Sequence, residues 1–180
     1  MSLPAYNIIE ASPEWADAFR GFSQVNAQAA YARPELGVTA DLFSREAYAK
    51  PAVVAHFAGI CAVSESVKAW IALDDQEEII GTVSAQERQD QCELQALYVA
   101  TELKGKGLGR VLYDRVLDFA GSMPIRLDVI AYMQETIDIY EHLGFVIDPT
   151  AGRPNYVFDW PEAARQACHG IYMFKPGVES

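Results

Sequence analysis

The stretch ELQALYVATELKGKGLGRVLYDR, Glu93 to Arg115, decides the fold. It holds an apolar strand, a short polar loop, a basic turn with glycine at every second position, and an amphipathic helix. Gly105, Gly107 and Gly109 remove side chains where the backbone has to turn sharply and approach a ligand closely. A helix that opens here leaves its first N–H groups without intrahelical partners, and these donors, with the positive end of the helix dipole, favour an anion. Lys104, Lys106 and Arg110 add positive charge around the same turn in a chain whose net charge is −11. The order of elements therefore predicts a phosphate site. It is neither G-x-x-x-x-G-K-[ST] nor G-x-G-x-x-G.

Lys104-Gly105-Lys106-Gly107-Leu108-Gly109 instead resembles the Q/R-x-x-G-x-G/A signature of the GNAT superfamily of N-acetyltransferases, with Leu97-Tyr98-Val99 in the strand position that precedes it. Downstream, Tyr140-Glu141-His142-Leu143-Gly144-Phe145 is similar to the Y-E-K-L-G-F ending of that family's last conserved helix. The resemblance runs from about Ile79 to Phe145 in matching order. It implies an α+β fold, a mixed and mostly antiparallel central sheet flanked by helices, in a single domain over residues 1–180. It also implies acetyl-CoA as cosubstrate, held by Leu97, Tyr98, Val99, Lys104, Gly105, Lys106, Gly107, Leu108, Gly109 and Arg110, and direct transfer to an amine without a metal.

Composition agrees without deciding. A 180-residue chain that is 51% hydrophobic buries roughly 70% of its unfolded surface in one domain. An acidic pI near 4.6 argues against a nucleic-acid partner and suits either cationic substrates or plain solubility. Cys61, Cys92 and Cys168 have no metal-ligand spacing and are odd in number, which fits a reducing, cytoplasmic setting. With no apolar run of membrane length and no leader-like N-terminus, the expectation is a protein without a membrane partner.

Along the chain, Tyr6 to Glu10 reads as a strand, and Ser12-Pro13-Glu14 as the start of a helix reaching about Tyr31. Asp41 to Ser64 has helical pattern, broken by Pro51 into two helices or a kink. Val67 to Leu73 and Glu78 to Gln86 read as a hairpin, and Cys92 to Val99 as the next strand. Gly107 to Gly121 is the expected phosphate-binding helix. It is followed by a buried strand Ile125 to Ala131, a helix Gln134 to Leu143, a strand Phe145 to Ile147, and a last strand Gly170 to Phe174 that closes the sheet. An exposed last strand offers an edge for pairing in a homodimer. Between Asp148 and His169, Arg153, Asn155, Tyr156, Asp159 and Trp160 read either as a binding loop or as an excursion linking two strands.

The chemistry of amine acylation adds roles. An amine of pKa ~10.4 is almost wholly protonated at neutral pH, so a base is needed. Regular alternation puts Glu93, Gln95, Leu97 and Val99 on one strand face. In the histone-acetyltransferase-like branch of the resembled family, a glutamate at the place of Glu93 is the general base, directly or through water. A tyrosine at the place of Tyr140 protonates the departing thiolate, and backbone N–H groups at Leu97 to Val99 hold the acetyl oxygen. Met133 departs from the pattern, standing where the family's asparagine helps hold the pantetheine arm. That departure leaves a second reading, an acyl-CoA-binding module without turnover. Acceptor specificity is expected from Tyr31 to Ser64 and from Asp148 to His169.

Overall fold

The computed structural model describes residues 4–62, 64–150 and 160–177. Seven strands form one sheet in the order β1-β2-β3-β4-β5-β7-β6. Strands β1 (Tyr6–Glu10), β2 (Val67–Asp74), β3 (Ile79–Arg88) and β4 (Gln91–Val99) make an antiparallel meander. Strand β5 (Ile125–Ile130) lies parallel to β4, and β7 (Gly170–Lys175) runs antiparallel between β5 and the two-residue β6 (Val146–Ile147). The sheet is mixed and mostly antiparallel, as the sequence suggested.

The last strand does not close the sheet at an edge. Both sides of β7 are paired, so the edges are β1 and β6, and the homodimer edge expected of the final strand is not available there. Local pattern could not reveal this, because the order of strands is set by which partner a short, nonlocal segment finds.

Helices cover both faces. On one face lies α4 (Leu108–Ala120), which buries Leu108, Leu112, Tyr113, Val116 and Ala120 at helical spacing, together with α5 (Gln134–His142). Burial of each leucine contributes roughly 1.5–3 kcal/mol. Gly81 on β3 lets α4 approach, since a Cβ there would stand 2.8 Å from Leu112 Cδ1. On the other face lie α1 (Ala16–Tyr31), α2 (Arg45–Tyr48) and α3 (Pro51–Ile60), around Phe19, Phe43, Val53, Phe57 and Ile71. Pro51 is the first residue of α3, where its missing N–H costs nothing, so the expected break yields two helices. Pro13 likewise opens a single 3₁₀ turn before α1. A short α6 (Glu162–Ala167) precedes β7. Among the described residues no helix is long and apolar enough to cross a membrane.

Candidate functional site

Two irregularities in the sheet make the site. The parallel ladder between β4 and β5 has only two registered pairs, Cys92↔Ile125 and Glu93↔Arg126, after which the strands part. At the same level β4 carries a bulge. Ala96 has φ 51°, and the register with β3 slips by one residue between Thr82 and Ser84. The carbonyls displaced from the ladder are recovered by side chains: Thr82 Oγ1 donates to Ala96 O at 2.9 Å and Ser84 Oγ to Gln95 O at 3.2 Å. This explains two fully buried hydroxyl residues in the middle of β3.

The bulge corrects the expected strand faces. Cys92 and Leu94 pack toward α4, Ala96 turns to the α1 side, and Leu97 and Val99 face α4 again. Glu93 and Gln95 therefore do not share a face with Leu97 and Val99, because one extra residue inverts the alternation. Cys92 lies in the α4-side core, where burial first, then the charges of Glu93 and Glu87, push its thiol up to about 12. It is not a nucleophile of the cleft.

A cleft of about 700 Å³ fills the gap between β4 and β5 and runs from Lys104 to Glu93. Leu97, Tyr98, Val99, Met133 and Tyr140 line its middle. At one end, Gly107 caps α4 with φ 96°, and Gly105 has φ 75°, both left-handed values that favour glycine. The N–H groups of Gly105, Gly107, Leu108 and Gly109 have no acceptor among the described residues, whereas Lys106 N–H donates to Leu103 O at 3.3 Å. A Cβ on Gly109 would make only ordinary contact, 3.6 Å from Val99 Cγ2, so the protein itself does not demand glycine there. Of the three cations, Lys106 Nζ is bound to Glu102 O at 2.7 Å and Arg110 to Asp114 at 2.8 Å. Lys104 has no partner among the described residues and lines the cleft. A row of unpaired backbone donors beside a lysine suits the pyrophosphate of a CoA.

Tyr140, on α5, is buried edge-on against Phe145, with ring centroids 5.5 Å apart. Burial first, then the charge of Tyr31 and Asp128, raises its phenol well above the ordinary value. Met133 is the residue before α5, and Arg33 Nη2 donates to its Sδ at 3.9 Å.

Across the cleft, Glu93 Oε2 accepts from Arg88 Nε at 2.7 Å and from Gln95 Nε2 at 3.1 Å. Both contacts fall on one oxygen. Oε1 has no partner among the described residues.

Among the lining residues not singled out from the sequence are Arg88 on β3, Arg126 and Asp128 on β5, and Tyr172 on β7. Two charges at alternate positions inside the buried run Ile125 to Ile130 were the available signal, since they mark one face of that strand as polar. Water reaches Asp128 from within the cleft, but protein crowds its other sides, and this burial, with Glu93 nearby, raises its carboxyl pKa. Tyr31, Phe43, Tyr48, His56 and Phe57 supply the facing wall, drawn from the segment expected to govern the acceptor. Trp160 joins them, its ring centroid 5.3 Å from that of Phe43. Arg153, Asn155, Tyr156 and Asp159 lie outside the described residues. Among the described residues no three His, Cys, Asp or Glu side chains are grouped to hold a metal ion.

The acetyltransferase (GNAT) family model matches residues 34–145, more than half of the chain, and the protein belongs to that family. A curated relative, the uncharacterized N-acetyltransferase YjgM of Escherichia coli K12, is 39% identical over 59 residues, covering 31% of this chain and 35% of that protein. The match thus spans about a third of the relative's length. A GNAT-family acetyltransferase from Staphylococcus aureus Mu50 superposes with TM-score 0.67 at 16% identity, over 95% of this chain and 98% of its own. The PaiA N-acetyltransferase of Thermoplasma acidophilum, solved in complex with coenzyme A, superposes with TM-score 0.66 at 18% identity, over 96% and 99% of the two chains.

Proposed function

We propose that the protein is an N-acetyltransferase that moves the acetyl group of acetyl-CoA directly to an amine. The observation that carries this reading is the continuity of one cleft from Lys104, next in sequence to the unpaired amides of the glycine turn, past Tyr140, to Glu93. Acetyl-CoA supplies the activated acetyl thioester. Each remaining task falls to a residue of the chain.

The amides of Gly105 to Gly109 and Lys104 hold the phosphates. Beyond the bulge, N–H groups of Leu97 to Val99 on the side facing away from β3 have no β5 ladder partner and are available to the thioester oxygen as it gains charge. Glu93 Oε1 takes a proton from the acceptor's ammonium and leaves the neutral amine that attacks, while Arg88 and Gln95 keep Oε2 in place. The amine adds to the thioester carbon, its nitrogen releases its remaining excess proton to solvent, and the C–S bond breaks as the adduct collapses. Tyr140 then gives its proton to the sulfur, and its raised pKa keeps that proton in place at neutral pH. Three buried free cysteines fit a reducing cytoplasmic setting.

The test is acetyl-CoA-dependent thiol release against a panel of amines. Release that depends on the amine supports the reading. Tight CoA binding with no release on any amine would favour a binding module instead.

A further inference from the structure

The acceptor end of the cleft carries four charges in alternation: Arg88 on β3, Glu93 on β4, and Arg126 and Asp128 on β5. Only the first two pair with each other. Arg126 stands beside Glu93 in the last registered pair of β4 and β5, yet its side chain makes no hydrogen bond or ion pair with any described residue. Its Nε is buried without a partner. The guanidinium carbon sits 3.5 Å from the centroid of the Tyr172 ring, a stack that fixes the plane of the fork and consumes none of its donors.

The guanidinium is half-buried on the cleft wall, and its Nε, out of reach of solvent, has no acceptor although a chain with net charge −11 does not lack acids to provide one. A ligand in the cleft can bring that acceptor. A planar, stacked guanidinium suits a carboxylate, which it can bind through two parallel hydrogen bonds. Asp128 lies two residues on, on the same face of β5 and roughly 7 Å along the strand, near enough to Glu93 for the two charges to interact. One receptor for an anion and one for a cation thus stand side by side, under the aromatic wall of Tyr31, Tyr48 and Tyr98.

We propose that the acceptor is a free α-amino acid, with its carboxylate on Arg126 and its amine toward Glu93 and Asp128. The assignment rests on the transferase reading for its chemistry, but the subsite can be tested by binding alone. It disfavours polyamines and protein N-termini, which bring no carboxylate next to the reacting amine.

The experiment titrates the CoA-saturated protein calorimetrically with the proteinogenic L-amino acids and with amines lacking only the α-carboxylate, such as phenylalanine beside phenethylamine and leucine beside isoamylamine. At least one amino acid should bind saturably, and its decarboxylated partner at least ~30-fold more weakly. Arg126→Gln should bring the amino acid down to the level of the amine and leave the amine and CoA affinities unchanged, and Arg126→Lys should fall between. Amines that bind wild type as well as amino acids do, no amino acid binding, or discrimination that survives in a folded Arg126→Gln would each overturn the assignment; the wild-type comparison decides even if the variants do not fold. Arg126-dependent binding without thiol release keeps the subsite and removes the transferase. Thiol release on amines alone does the reverse.

Discussion

Glu93 and Arg126 are neighbours in the last registered pair of β4 and β5, but Glu93 forms its ion pair with Arg88 on β3, 2.7 Å away. The carboxylate is thereby held from the meander side, and its free oxygen is left to the cleft. That arrangement makes Glu93 a candidate for proton transfer rather than a structural bridge between the parting strands.

For Glu93, the expected signature is in the pH profile. Glu93→Gln keeps size and hydrogen-bonding capacity and loses the proton acceptor, so kcat/KM at neutral pH should fall by about 10²-fold or more. Raising the pH should recover much of the loss, because more amine arrives already neutral. A deficit that is the same at every pH would mean that Glu93 positions the acceptor and does not take its proton.

Tyr140→Phe keeps the ring against Phe145 and removes only the hydroxyl. Melting temperature and CoA affinity should barely move, while kcat drops by about 10²-fold. Equal turnover in the two proteins would take Tyr140 out of the mechanism.

How much of this was visible beforehand varied with the range of the cause. The glycine turn, the helix after it and the break at Pro51 were legible because each is written in residues adjacent in sequence. The bulge was not: Leu94, Ala96, Leu97, Tyr98 and Val99 all suit a regular strand, and the slip is held by Thr82 and Ser84 from the neighbouring strand. The internal place of β7 was hidden for the same reason, its outer partner being two residues, Val146 and Ile147. Arg126 and Asp128 were half-legible. Their alternation announced a polar face, but the partner that Glu93 chose depends on how β3, β4 and β5 meet.

Thr82→Val tests whether the bulge is a built feature. The substitution keeps the β-branched shape of a fully buried residue but leaves Ala96 O without its donor. Unfolding free energy from urea titration should fall by ~1–3 kcal/mol with the m-value unchanged. Activity should fall further than the lost stability explains, since Leu97 and Val99 are aimed by the same bulge. A neutral effect on both would mean that the ladder holds the bulge without help.

At the other end of the cleft, Gly107 separates backbone strain from charge. Gly107→Ala has open space for its Cβ but must adopt φ near 96°, which costs about 1–2 kcal/mol of stability. Gly107→Asp adds a negative charge beside the unpaired amides and should nearly abolish CoA binding by calorimetry. Wild-type affinity in a folded Gly107→Asp protein would remove the phosphate assignment.

Asp128 gives the last expectation, through its raised pKa. A carboxyl whose folded pKa lies above its unfolded value favours folding while it is protonated. That contribution is complete below the unfolded value near 3.9 and is lost as pH rises through the folded value. At neutral pH the wild type therefore carries a charge that burial and Glu93 oppose, and Asp128→Asn removes it. The variant should melt above wild type at pH 7, and the gap should close as the pH falls through the carboxylate range. Solvent in the cleft screens the carboxylate, so the gap should stay within about 2–4 °C, the shift that ~1 kcal/mol gives a domain of this size. A gap that persists unchanged in acid would trace the gain to packing of the amide rather than to the charge.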